Sequence, residues 1–226
     1  MYRRDRWIEP EVLDEQTPEG GAASVADLVR INRFLGGHRV LRESLTRCGL
    51  HRDDAFTLLD VGAASGDAAR LVAELYPRAR VTSLDYRAHH MRDNPSPQRI
   101  VGDAFRLPFA PRSFDVVYCG LFLHHFDNDA VVRLLSAFGS LARRHVIAND
   151  LERHILPYYF LPATRWLLGW DPITLHDGPV SVQAAFTQAE LGDLARAAGL
   201  QAPHVELYRP AFRLGLTAGP GPEPSS

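Results

Sequence analysis

The spacing of apolar positions changes along the chain. From Ser24 to Gly49, Val25, Leu28, Val29, Phe34, Leu35, Val40, Leu41 and Leu45 recur at helical spacing, with Ser24 placed to cap the start and Gly49 to stop it. Gly36-Gly37 interrupts the pattern, which predicts two helices meeting at that pair or one kinked helix. After Leu50 the apolar runs shorten. "FTLLDVG", "RVTSLDY", "QRIVGDA", "SFDVVYCG" and "RHVIAND" predict five strands, separated by helical "GDAARLVAELYP", a short "RAHHMRD" and "DNDAVVRLLSAFGSLA". Alternating strands and helices fold as a parallel sheet covered on both faces, because right-handed crossovers return each strand beside its neighbour.

The alternation breaks after the fifth strand. Residues 152–186, with "HILPYYFLPATRWLLGW" at their centre, are aromatic and broken by prolines, and predict a helical insertion. Thr187 and Glu190 then match a capping box, opening a helix that Gly199 stops. "HVELYRPAFRLGLTAG" supplies two last strands around Arg209-Pro210. The expectation is one α/β domain with seven mostly parallel strands over 51–216. A flexible arm over 1–22, a helical segment over 23–50 and a disordered tail over 217–226 complete it.

Composition narrows the chemistry. All 25 basic residues are arginine, so neither a Walker loop nor a Schiff-base lysine is available. A net charge of -2 with scattered arginines argues against nucleic acid or an anionic membrane as an electrostatic partner and favours a small ligand. Cys48 and Cys119 form neither a CxxC pair nor a disulfide framework, so no metal is expected. No run reaches the ~18–20 apolar residues of a membrane helix, and the first residues lack a signal-peptide core, so a cytoplasmic protein is expected.

Residues 57–71, "TLLDVGAASGDAARL", end an apolar strand in Asp60, turn through small residues and reopen as a helix at Gly66-Asp67, the arrangement of a nucleotide-type site. A dinucleotide loop of the G-x-G-x-x-G type is not matched by Gly62 and Gly66, which disfavours a nicotinamide oxidoreductase. Four spaced elements together resemble the class I S-adenosylmethionine-dependent methyltransferases between about Thr57 and Leu216. They are Asp60, Gly62, Ala63 and Gly66 in the loop; Asp85 and Tyr86 after the second strand; Gly102-Asp103-Ala104; and Cys119-Gly120-Leu121. Ala64 replaces the family's middle glycine and leaves less room beside the loop.

The resemblance implies a Rossmann-like, doubly wound sheet and a site for S-adenosyl-L-methionine, released as S-adenosyl-L-homocysteine. It implies ribose contacts at Asp85, adenine contacts at Gly102 to Ala104 and a wall beside the sulfonium at Cys119 to Leu121. "RINRFLGGHRVL" also resembles the helical lid of quinone-biosynthesis relatives, which offers Arg33 or Asn32 to the methionine carboxylate.

Methyl transfer from a sulfonium needs alignment first, and a base only where the acceptor must lose a proton. His124 and His125, at the carboxyl edge of the sheet, are the candidate bases, with a structural role as the competing reading. Asn149, Asp150 and Arg153 are placed to bind a polar acceptor group or to cap a helix. His176 with Asp177 is either an acid-base pair or a loop held by an Asp turn. Tyr158 and Tyr159 belong to an aromatic stretch that would cover a flat, apolar acceptor, or simply pack or touch a membrane surface. The expected reaction is methyl transfer to a small molecule, with O-methylation of a phenolic or polyketide-like metabolite foremost. A binding module that has lost turnover is the alternative, and monomer and homodimer stay open.

Overall fold

The computed structural model describes residues 1–13 and 18–221. Seven strands form one sheet: β1 (Thr57–Val61), β2 (Arg80–Asp85), β3 (Gln98–Val101), β4 (Phe114–Gly120), β5 (Ala142–Leu151), β6 (Gln201–Tyr208) and β7 (Arg213–Gly219), in the order β3-β2-β1-β4-β5-β7-β6. All pairings are parallel except those of β7, which runs antiparallel to β5 and β6. The order reverses between β1 and β4, and that reversal opens a crevice at the strands' carboxyl ends.

Helices cover both faces. α2 (Gly37–Arg47) and α3 (Asp67–Leu75) bury Leu41, Leu45, Leu71 and Val72 against Leu58, Val116 and Ile147 on one side. α4 (Asn128–Leu141) and α7 (Gln188–Ala197) bury Leu134, Phe138, Leu191 and Ala195 against Leu59, Val117 and Leu216 on the other. The starts of these helices follow local chemistry. Asp127 accepts from Ala130 N–H to cap α4, and the expected Thr187/Glu190 capping box closes at α7. The insertion forms α5 (Ile155–Leu168) and α6 (Pro172–Ala184), which approach closely where a Cβ on Gly178 would lie 2.2 Å from Leu161.

Four expectations change. The first helix, α1 (Pro18–Phe34), begins before Ser24, because Pro18 supplies a pre-set φ at the start; Ser24 sits inside it, buried and hydrogen-bonded to Thr174 Oγ1 at 2.9 Å. α1 and α2 meet at Gly36, whose φ of +87° breaks the helix. "HDG" lies within α6 rather than in a loop. Thr217 to Gly219 belong to β7, and residues 222–226 of the expected tail fall outside the described residues.

The fourth change concerns the arm. Residues 1–13 lie as a strap across α6 and the end of β4. Arg6 donates to the carbonyls of Ala184, His124 and Phe126, and Trp7 N–H donates to Gln183 O. Val12 and Leu13 N–H groups both donate to the Asp177 carboxylate at 2.9 Å. Partners more than 100 residues away tie down a segment whose own composition looks unstructured.

Candidate active site

A cleft of about 860 Å³ opens where the strand order reverses, a size suited to a nucleoside with a small acceptor. β1 delivers Asp60 to it, followed by the turn from Gly62 to Ser65. Gly62 takes φ +73°, and a Cβ there would lie 2.6 Å from the Phe122 ring, so only glycine fits. Ala64 is held at φ +40°, an uncommon conformation for an L-residue, and its N–H donates to Asp85 Oδ2 at 3.0 Å.

Two carboxylates in the cleft are in contrasting states. Burial alone would raise Asp85, but the His90 hydrogen bond and the N–H groups of Arg87 and Ala64 outweigh it and hold the carboxyl below its usual range. Its Oδ1 accepts from Arg87 N–H at 3.0 Å and faces His90 Nδ1 at 3.2 Å, so its orientation is fixed. Asp60 is buried with Oδ2 lacking a hydrogen-bond partner, and burial, then the charges of Asp85 and Asp67, push it up to about 7.

Gly102, Asp103 and Ala104 follow β3 into the cleft, with Asp103 Oδ1 accepting from Phe105 N–H at 2.9 Å. Gly120 ends β4 and Leu121 follows it, where Leu121 N–H donates to Asn149 O at 2.7 Å. Ala63, Tyr86, His125 and Asn149 also line the space. Gly66 and Cys119 sit behind it, Gly66 at the start of α3 and the Cys119 thiol in the core.

Arg33 lies over the Phe34 ring, outside the cleft, whereas its neighbour Asn32 lines it. Asn32 Oδ1 accepts from Arg213 Nη2 at 3.2 Å, which leaves the Asn32 amide hydrogens free to donate. Arg213 is buried, and its Nη1 has no partner; burial lowers it to about 10 despite Asp150, Tyr118 and Asp67. From α2, His38 Nε2 meets Asp67 Oδ2 at 2.8 Å, joining α2 to the first turn of α3.

The two adjacent histidines are placed differently. His125 lines the cleft, while His124 is 2% exposed behind it, with the two rings stacked 4.3 Å apart. His124 Nδ1 is 2.7 Å from Asp150 Oδ1 and Nε2 is 3.4 Å from Glu11 Oε1. Burial would lower His124, but both carboxylates outweigh it and push the ring up to about 10. Glu11, which burial would raise, is held at about 2 by His124. Asp150 likewise lies below its usual range because His124 outweighs burial. Glu11, His124 and His125 bring potential ligand atoms within 4.8 Å of one another, with the His124 ring lying between the Glu11 and Asp150 carboxylates.

The remaining substrate candidates lie elsewhere. Arg153 brackets the strap and α7, donating to Arg4 O, Ala185 O and Glu190 Oε1. His176 meets Asp177 on α6, outside the cleft. Tyr158 packs against Tyr2 and Tyr159 is exposed, because α5 buries only Leu161 and turns its aromatics outward. No described residue of the insertion lines the cleft; Glu11, Leu13, Leu28 and Val29 of the N-terminal region close that side instead. Their sequence gives no signal for this, since the contacts are entirely long-range. Phe122 and Phe126, flanking the histidines, also line the cleft and were legible as an aromatic bracket.

Comparison with known proteins places the fold in a family. The family described as "Methyltransferase domain" matches residues 59–143. The chain is 32% identical over 176 residues to the ubiquinone/menaquinone biosynthesis C-methyltransferase UbiE of Desulfotalea psychrophila, covering 70% of this chain and 69% of that protein. It is 28% identical to the malonyl-[acyl-carrier protein] O-methyltransferase 1 of Coxiella burnetii, over 51% of this chain and 46% of that one. The solved human N-acetylserotonin methyltransferase, in complex with SAM, shares the fold with a TM-score of 0.65 at 14% identity, over 91% of this chain and 57% of that chain. No helix among the described residues is long and apolar enough to cross a membrane. The chain belongs to the class I S-adenosylmethionine-dependent methyltransferases, enzymes that use S-adenosyl-L-methionine as donor.

Proposed function

We propose that this protein methylates the hydroxyl oxygen of a small, flat, apolar acceptor of the phenolic or polyketide-like kind, with His125 as the base. The observation that carries the reading is the division of labour between the two histidines: His125 lines the cleft shared with Asp85 and the glycine turn, whereas His124 is fixed as an imidazolium between Glu11 and Asp150. His124 then positions its stacked neighbour and cannot itself accept a proton.

The residues present fit the donor. Asp60 offers a buried carboxylate oxygen without a partner to the ammonium of the amino-acid tail, and the Asn32 amide offers donors to its carboxylate. Asp85, with its plane fixed by two backbone N–H groups, keeps lone pairs for both ribose hydroxyls, and Gly102 to Ala104 flank the base. When bound, the donor supplies a methyl carbon already activated by its sulfonium. Phe105, Phe122 and Phe126 line the cleft with apolar rings, which favours a flat acceptor and keeps water from competing.

Incubation with a carbon-13 methyl donor and a phenol panel tests the reading: a labelled O-methyl product with S-adenosyl-L-homocysteine is expected, and no homocysteine product above background with any acceptor rejects it. His125→Ala slows methylation of ordinary phenols by ~10²-fold or more and barely affects strongly acidic phenols, which are ionised without help. Methylation at ring carbon is the second reading, favoured by the C-methyltransferase named above. Removing the hydroxyl proton makes both oxygen and ring carbon nucleophilic, so the carbon-13 shift of the new methyl group separates the two.

A further inference from the structure

We infer that α5 docks the protein onto the surface of a bilayer containing anionic lipid. At about 100° per residue, the exposed uncharged positions of α5, namely Ile155, Leu156, Tyr159, Phe160, Ala163, Trp166 and Leu167, occupy one arc of roughly 140°, and Arg165, also exposed on this helix, lies outside that arc. Trp166 and Leu167 are 86% and 83% exposed. A soluble helix normally turns such a stripe inward, yet here the buried side contributes only Leu161.

Charge selects the occupant. The overall charge is -2, but from Arg153 to Trp170 there is no carboxylate. Two arginines border the face, each over an aromatic ring: Arg165 over Trp166 and Arg30 over Trp170. The nearby Asp27 is buried, and its oxygens are taken by Arg30 and by Asp171 N–H. An apolar stripe carrying Trp and Tyr with an arginine rim matches the boundary between acyl chains and anionic headgroups, whereas an antiparallel second copy would set arginine rim against arginine rim. The face also adjoins the cleft. Arg30 Nη2 donates to Leu168 O, and Leu28 on the same helix is both partly exposed and part of the cleft wall.

Co-sedimentation of the full chain with vesicles tests this, using phosphatidylcholine alone or mixed in equal parts with phosphatidylglycerol. The wild type is expected to sediment with the mixed vesicles and to be released by salt. Trp166→Ser with Leu167→Ser partitions at least about tenfold less, and Arg165→Gln about fivefold less on mixed vesicles only. Both variants keep the wild-type circular dichroism and donor affinity, since these side chains are exposed. Wild-type protein that stays in the supernatant with both vesicles overturns the inference, as does unchanged partitioning of the double variant. A dimer in light scattering that the double variant splits also overturns it, and assigns the face to a second copy.

Discussion

On the proposed assignment, the donor side and the acceptor side of the cleft are built on different principles. Apart from Asn32, which α1 supplies, donor-side groups come from the carboxyl ends of β1 to β4 and the turns after them, and several are held by bonds over short sequence distances, such as Arg87 N–H to Asp85 and Phe105 N–H to Asp103. The acceptor side is assembled from segments far apart in sequence: Glu11 from the strap, His124 from the turn after β4, Asp150 from β5 and Asp177 from α6. Partners also differ in their saturation. On the acceptor side His124 lies between two carboxylates and Arg153 meets Glu190, whereas the donor side leaves Asp60 Oδ2 without a partner. The difference separates a scaffold that must hold itself closed from a pocket that reserves its bonds for a ligand.

The largest expected effect breaks the acceptor side alone. Asp150→Ala removes the carboxylate at 2.7 Å from His124 and strands a buried imidazolium, which costs roughly 3–5 kcal/mol of stability. His124 is raised from 6.5 to about 10, so its contribution is complete below about 6.5 and fades as pH rises through 10. Urea denaturation at pH 6 and pH 10 checks both points: the loss is largest at pH 6 and shrinks at pH 10. A loss below about 1 kcal/mol at pH 6 would show that the network is not structural.

Next in size, Asp85→Ala weakens donor affinity by about 1–3 kcal/mol through lost ribose hydrogen bonds. Calorimetry of S-adenosyl-L-homocysteine binding measures it. Asp85 also accepts Ala64 N–H, so the informative comparison is with Asp85→Asn, which keeps one acceptor. Equal affinity in all three proteins would remove Asp85 from the donor site.

Asp60→Asn sharpens the comparison in the opposite direction. Asp60 is raised from 3.8 to about 7, so its ionisation opposes folding: stability falls as pH rises from about 4 through 7. The asparagine variant is therefore about 2 kcal/mol more stable than the wild type without donor at pH 8, and no more stable at pH 4. It also loses affinity for the donor ammonium. A variant that is less stable at pH 8 would mean that the carboxylate has a partner in the folded protein after all.

The same division governed what the sequence made visible. The strands themselves, the glycine turn and the acids at the ends of β1 and β2 and after β3 were legible because each is a local pattern followed by its own turn. The strap was not, because charged residues with Pro10 and Pro18 describe a loose arm unless Asp177, 165 residues from Val12, is known to receive it. The aromatics of α5 read equally as an acceptor cover, as packing or as a surface contact, and nothing local chose among these. His124 and His125 are adjacent and chemically identical in sequence, and the short 3-10 turn after β4 alone sends one behind the cleft and the other into it.

The smallest expected effect tests the one place where the donor side carries strain. Ala64 stands at φ +40°, and an L-residue in that region is disfavoured by about 1–2 kcal/mol. Ala64→Gly relieves this but loosens the unfolded chain by about 0.4–1 kcal/mol, so a net gain of roughly 0.5 kcal/mol is expected in thermal denaturation. The Ala64 N–H bond to Asp85 survives the change, which keeps the turn closed. Because Ala64 is exposed on the cleft wall, its methyl group narrows the approach to the turn, and donor affinity should tighten slightly. Weaker donor binding in the glycine variant would show instead that alanine is there to hold the turn stiff, and that this enzyme secures its donor by pre-set backbone rather than by room.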